Sequence, residues 1–270
     1  MGIQMKKFLF AIPMAAMMVA TAASAQTLFS DGFESGNLSH TQNQIYWSAQ
    51  GASTAVSSAK AKDGKYSLAF TFAAGSSSWS ERRFQLTNQY TNLWFAYDLY
   101  VPSNYVHQNA TRTNNKFLAI FRNPYNTPGF QMNFSLMANG SGGSNLTVHM
   151  YNNGSEIPYL TPAAGKNFIT TSDLGKWHHI VAHVAVPTGP NTNDGVIQMW
   201  KDGKEVANYT NIGDYGGAGE NYFDAGYVLG WANSGFAQTT VLYVDNFTIS
   251  NTPLNVAAPA APTSLNVTIK

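Results

Sequence analysis

The 270-residue chain is nearly charge-balanced, with a net charge of +1 and only 11% charged residues, which argues against the dense basic surface that nucleic acid or anionic membrane partners require. Cysteine is absent, so no disulfide supports the fold and core burial must do that work. Aromatic residues at 13%, with abundant Asn, Ser, Thr and Gly, suit a β-rich chain that carries ring platforms on its surface.

Lys6-Lys7, an apolar run from Phe8 to about Ala20, and Ala23-Ser24-Ala25 stand in the charged, greasy, small-residue order of a secretory signal peptide. This order predicts a signal peptide over 1–25, with Gln26 as the new amino terminus and a secreted or periplasmic product. The run is shorter than the roughly 20 residues of a membrane span, and no later segment reads as a span. Short runs rich in Val, Ile, Phe, Tyr and Thr then recur between Gly, Asn, Ser and Pro clusters, with helical periodicity nearly absent. They predict strands over 27–29, 66–72, 81–86, 93–100, 115–122, 130–136, 146–151, 177–186, 196–200, 227–231 and 240–250. Between Lys176 and Val206, two alternating runs flank a Pro/Gly/Asn turn and a tight Asp202-Gly203 turn closes the second, which is a hairpin with another beginning behind it. The expected fold is all-β, an antiparallel two-sheet β-jelly roll sandwich over 26–250. The connections 105–114 and 208–223 are expected as long loops at its edges. Beyond Ser250, NTPLNVAAPAAPTSLNVTIK lacks core-forming bulk, so 251–270 is expected to be a Pro/Ala-rich linker or disordered tail.

Three carboxylates invite a metal. Asp245 interrupts an apolar alternation of Val241, Tyr243, Phe247 and Ile249, while Asp31 and Glu34 flank an early turn. First and last strands of a jelly roll often lie side by side, so these groups are expected to meet around a structural calcium ion. His179 and His183 share a strand face, but no second cluster of ligands accompanies them, and metal catalysis there is disfavoured.

The block from Asn115 to Tyr151 carries the chemistry. Lys116 and Arg122 alternate onto one face, as do Gln131, Asn133 and Ser135, and Thr147, His149 and Tyr151. Neighbouring strands of this kind would make a groove of cations, amides, an imidazole and a phenol. β-Elimination in a uronate polysaccharide needs such a set: a neutralised carboxylate, a base for the C5 proton and an acid for the leaving oxygen. The assignment gives Arg122, Gln131 and Asn133 to the carboxylate, His149 to the base, Tyr151 to the acid or base, and Lys116 to subsite charge. Trp200, with Trp94 or Tyr97, is expected to stack on sugar, and His179 to add a polar contact. A non-catalytic, lectin-like or adhesive face of the same residues is the alternative. Paired-carboxylate glycosidase chemistry is disfavoured, because acidic residues are few and fall mainly in turns.

The segments FESG, NLWFAYDLYVPSNY, NNKFLAIF, GKWHHIVAHV, NDGVIQMWKDGKEV and GWANSGFAQTTVLYVDNFTIS together resemble the secreted polysaccharide lyases of the heparin-lyase-I and glucuronan-lyase type. The likeness covers roughly 27–250. It implies a concanavalin A-like (laminin-G-like) jelly roll, a cation or amide that binds the carboxylate, His and Tyr on the sheet that binds substrate, and calcium in several members. VHMY at Val148 to Tyr151 is the best match to the His and Tyr pair. The absence of a strongly basic groove points away from heavily sulfated substrates and toward a less charged uronan such as glucuronan or alginate.

Overall fold

The computed structural model describes residues 26–108, 114–125, 130–152, 155–161, 166–213 and 221–257. The expected signal peptide and most of the expected tail lie outside the described residues. Among the described residues seventeen strands follow in chain order: β1 Thr27–Asp31, β2 Thr41–Gln42, β3 Ile45–Ala52, β4 Thr54–Ser57, β5 Ser67–Phe72, β6 Ser78–Tyr90, β7 Asn92–Val101, β8 Asn115–Phe121, β9 Gln131–Ala138, β10 Ser144–Asn152, β11 Ser155–Leu160, β12 Lys166–Ile169, β13 Lys176–Ala185, β14 Gly195–Lys201, β15 Lys204–Ile212, β16 Phe223–Ala232 and β17 Thr240–Ser250. The regular helical structure among the described residues is one 3-10 turn at Thr171–Asp173. No helix among them is long and apolar enough to cross a membrane.

Two antiparallel sheets form a sandwich. One has eight strands in the order β15-β14-β13-β7-β17-β5-β4, with β1 paired to β17. The other has nine, in the order β11-β10-β9-β8-β16-β6-β3-β2, with β12 paired to β10. Every predicted strand is present. The prediction missed β2, β3, β4, β11 and β12, and Asn208 to Ile212, expected in a loop, belongs to β15.

Alternation fills the space between the sheets. Leu93, Phe95, Tyr97 and Leu99 of β7 and Ile180, Ala182 and Val184 of β13 meet Met132, Phe134, Leu146, Val148 and Met150 of β9 and β10 in a single buried cluster. The side chains between them in sequence point to the two outer faces, one on each side of the sandwich.

Two bulges change which residues share a face. In β8 the register shifts between Lys116 and Leu118, so Lys116 pairs outward with Ser135 while Leu118 and Ile120 turn into the core. In β17 the register shifts between Asp245 and Thr248, with Asn246 at φ 52. Asp245 is therefore not in the row of Phe247 and Ile249, which are fully buried; it faces outward with Tyr243, opposite Asp98. A bulge inserts one residue and reverses the alternation beyond it, a change that composition does not announce.

Candidate active site

The outer face of the nine-stranded sheet holds two adjoining rows of polar side chains. Register pairs place His149 of β10 beside Asn133 of β9, Asn133 beside Ala119 of β8, Ala119 beside Tyr227 of β16, and Tyr227 beside Arg83 of β6. The next row runs from Thr147 through Ser135 to Lys116. On the other side of His149, Tyr151 pairs with Gln131 and with Glu156 of β11. Ala119 leaves the middle of the first row low, and Tyr125 from the segment after β8 folds over it. The Tyr125 hydroxyl lies 3.3 Å from that of Tyr227, and the Arg83 guanidinium stands 5.1 Å over the Tyr125 ring.

Lys116 joins this polar face to a cleft of about 380 Å³ lined by Trp79, Glu81, Arg83, Lys116, Tyr125, Trp231 and Asn233. Gly230 opens its floor. At φ +154, a Cβ there would stand 2.8 Å from the Lys116 Cβ and 3.3 Å from a Glu81 carboxylate oxygen, so a side chain would both strain the backbone and fill the cleft. Arg83 Nε donates to Glu81 Oε1 at 2.6 Å, and its Nη1 donates to Gln50 at 3.0 Å.

Three atoms in the polar rows are buried without a hydrogen-bond partner: His149 Nε2, Asn133 Nδ2 and Ser135 Oγ. Buried polar groups are nearly always satisfied, so open valences grouped on one face mark a place where a ligand or water completes them. Their roles follow from their neighbours. Gln131 Nε2 donates to Asn133 Oδ1 at 2.7 Å, which occupies the carbonyl and leaves the Asn133 amide as a donor. Glu156 Oε1 lies 3.8 Å from His149 Nδ1, which favours the tautomer with the proton on Nδ1 and leaves the Nε2 lone pair open. Burial pushes the His149 imidazole down to about 4, against an opposing pull from Glu156 and with further lowering from Lys116. Burial also lowers Lys116, with Glu156 acting the other way. The Tyr151 phenol is pushed up by burial and by the Glu156 carboxylate, and its ring stands edge-on to that of His149 at 5.4 Å. At neutral pH the face therefore offers a neutral imidazole acceptor, an amide donor, a protonated phenol and a partly desolvated amine.

Of the predicted catalytic set, Lys116, Gln131, Asn133, His149 and Tyr151 come together. Arg122 does not join them: the β8 bulge puts it out of phase with Lys116, and its guanidinium lies 4.8 Å over the Tyr222 ring. Arg83, absent from the predicted set, lies on the same outer face at the far end of the first row, paired with Glu81. It alternates with Glu81 and Trp79 along β6, a pattern visible in the sequence but assignable to this face only once β16 is known to lie between β6 and β8.

The predicted stacking residues lie elsewhere. Tyr97 is fully buried in the core, since alternation from Leu93 turns it inward. Trp94, Trp200 and His179 are on the outer face of the eight-stranded sheet, across the sandwich from His149. There the Trp94 ring stacks on His183 at 4.0 Å and lies 5.7 Å from Trp200. His183 is held by Gln198 at 2.8 Å and Asn92 at 2.9 Å, and His179 by Asp98 at 3.0 Å.

The expected calcium ligands are likewise committed to N–H groups. Asp31 accepts from the Phe33 amide and the Trp47 indole, both at 2.7 Å. Glu34 accepts from the Lys65 and Tyr66 amides, and Asp245 from the Lys62, Asp63 and Asn246 amides. Among the described residues no group of three or more His, Cys, Asp or Glu is placed to hold a metal. Glu34 and Asp245 instead grip the same loop, 62–66, from opposite ends of the chain.

An antiparallel sandwich with an open polar face and an adjoining aromatic cleft is a scaffold suited to holding extended sugar chains. The family model described as polysaccharide lyase matches residues 33–248, and the chain belongs to that family. No curated protein sequence matches it significantly. Among solved structures it is similar to alginate lyase Aly36B in a double-mutant complex with an alginate trisaccharide, at 12% identity and TM-score 0.53 over 70% of this chain and 84% of that one. It is also similar to the endo-β-1,4-glucuronan lyase of the fungus Trichoderma reesei, at 14% identity and TM-score 0.52 over 84% of this chain and 96% of that one. At these identities the likeness is one of fold.

Proposed function

We propose that the protein cleaves a uronate-containing polysaccharide by β-elimination on the outer face of the nine-stranded sheet, outside the cytoplasm. The observation that carries this reading is the pair of open, buried valences on adjacent strands, the Asn133 Nδ2 donor and the His149 Nε2 acceptor. A uronate ring meets both: its carboxylate accepts from Asn133 with Lys116 supplying positive charge, and its acidified C5–H faces the imidazole. His149 takes the C5 proton, the electron pair forms the C4=C5 double bond, the C4–O bond breaks, and the departing oxygen receives the Tyr151 proton. Alginate and glucuronan are the substrate classes named for the structural neighbours, and the modest net charge of +1 suits such unsulfated polymers. Export is supported by the signal-peptide order of the first 25 residues.

The test is ultraviolet absorbance of the unsaturated uronate when the protein is incubated with alginate, glucuronan, pectate, hyaluronan and heparin. A rise on one of the unsulfated uronans is the expected result. A flat trace on all, with retardation of the protein in a gel containing one of them, replaces the lyase with a sugar-binding role.

A further inference from the structure

Trp79 and Trp231 are register partners on β6 and β16. Their rings face solvent with 40% and 44% of each residue exposed, their centroids are 5.9 Å apart and their planes are 33° from parallel. Among the described residues the other exposed large hydrophobic side chains are Tyr46 and Val106, so half of that exposed set is gathered here. Exposed indoles held side by side on rigid strands cost solvation and contribute nothing to the core, which marks them as a contact surface. The surface is continuous with the cleft that contains Lys116 and Arg83. Glu81 and Asn233 rim it, and only one Glu81 carboxylate oxygen is engaged by Arg83.

We infer that Trp79 and Trp231 form a stacking subsite for a pyranose ring of the polysaccharide away from the bond being cleaved, so that chains long enough to reach it are held more tightly than shorter ones. The apolar C–H face of the ring lies on the indoles while its hydroxyls reach the free Glu81 oxygen and Asn233. A carboxylate on that ring is steered away from Glu81 toward the cation side of the cleft. Occupancy of this subsite holds the chain across Lys116 toward His149 and Tyr151. The inference rests on the lyase reading and names how its substrate is held.

The experiment compares Trp79→Ala, Trp231→Ala and the two Trp→Phe variants with the natural protein on a long polymer and on the shortest oligosaccharide the natural protein cleaves. Both side chains are exposed, and far-ultraviolet circular dichroism checks the fold. On polymer the Ala variants lose about tenfold in kcat/KM through KM with kcat within about twofold, the signature of lost uniform binding. The Phe variants recover most of it, and the shortest oligosaccharide, which does not reach the indoles, is cleaved at the natural rate. Equal losses on both substrates, a loss confined to kcat, or no loss on polymer each overturn the subsite. If the natural protein eliminates nothing, the lyase reading fails by itself, and retardation in a polysaccharide gel then decides the subsite: loss of retardation in the Ala variants upholds it and unchanged retardation overturns it.

Discussion

The two outer faces of the sandwich carry the same kinds of side chain and use them in opposite ways. On the eight-stranded sheet His183, Gln198, Asn92 and Asn208 are chained to one another by hydrogen bonds of 2.8 to 2.9 Å, His179 is bound to Asp98, and Trp94 spends its ring on His183. On the nine-stranded sheet His149, Asn133 and Ser135 each keep a buried atom without a partner, and Trp79 and Trp231 keep exposed rings. Residue type alone does not separate a binding surface from a structural one. Between these two faces the satisfied valences do, because a buried polar atom left open costs free energy that a ligand or water can return.

The largest expected contrast follows directly. His149→Gln and Tyr151→Phe each lower kcat by about a hundredfold or more with the fold intact, the usual weight of a general acid or base, while His183→Gln on the opposite face leaves kcat within about twofold. If His183→Gln were the more damaging change, the two faces would have to exchange roles.

Gly230→Ala sharpens the comparison at the cleft floor. It forces a positive-φ backbone on alanine and pushes a methyl to 2.8 Å from Lys116, so it is expected to lower stability by about 1–3 kcal/mol and to lower kcat/KM as well. Thermal melts with kinetics on the same preparation read both. Asp245→Ala leaves the Lys62 and Asp63 amides without their acceptor and is expected to cost about 1–3 kcal/mol, with kcat per folded molecule unchanged.

pH gives a smaller effect with a definite sign. His149 and His107 are both pushed down to about 4 by burial, and His183 is lowered by burial as well. The unfolded chain takes up protons at these sites from about pH 6.5 downward while the folded chain resists them, at His149 and His107 to about pH 4, so stability falls as pH drops through that window. Activity that needs neutral His149 persists through most of it, with the acid limb of kcat/KM near pH 4. A limb near the ordinary imidazole value would show that His149 is not the base. The smallest effect is expected for Trp94→Phe, within about twofold in KM; a rise of tenfold would bring the eight-stranded face into substrate binding.

The sandwich was legible because Val, Ile, Phe and Tyr recur at strand spacing between turn residues, and this held for each central strand. The missed strands are those in which composition works against the signal. β11 contains Pro158, β12 is the four residues KNFI, and β2 to β4 are short or rich in Ser, Gln and Gly; their place is decided by neighbours in the sheet. The same divide runs through the site. Gln131, Asn133, His149 and Tyr151 were readable because β9 and β10 are adjacent in sequence and alternate without interruption. Arg83, Glu81, Trp79 and Trp231 were not, since β16 enters between β6 and β8 from more than a hundred residues away in the chain. Arg122 was misplaced by a bulge with no sequence signature, and Tyr97 by grouping it with Trp94 when an odd spacing puts them on opposite faces.

The strand order has a consequence for how the protein is made. β17, the last strand of the sandwich, lies in the interior of its sheet between β7 and β5, and it also carries β1. Until Thr240 to Ser250 have left the ribosome, β1, β5 and β7 have no common partner and the eight-stranded sheet stays in three pieces with bare edges. Pairings so distant in sequence form slowly. A nascent chain with this connectivity stays open until β17 has been made, a state that exposes any fragment ending before it to edge-to-edge aggregation.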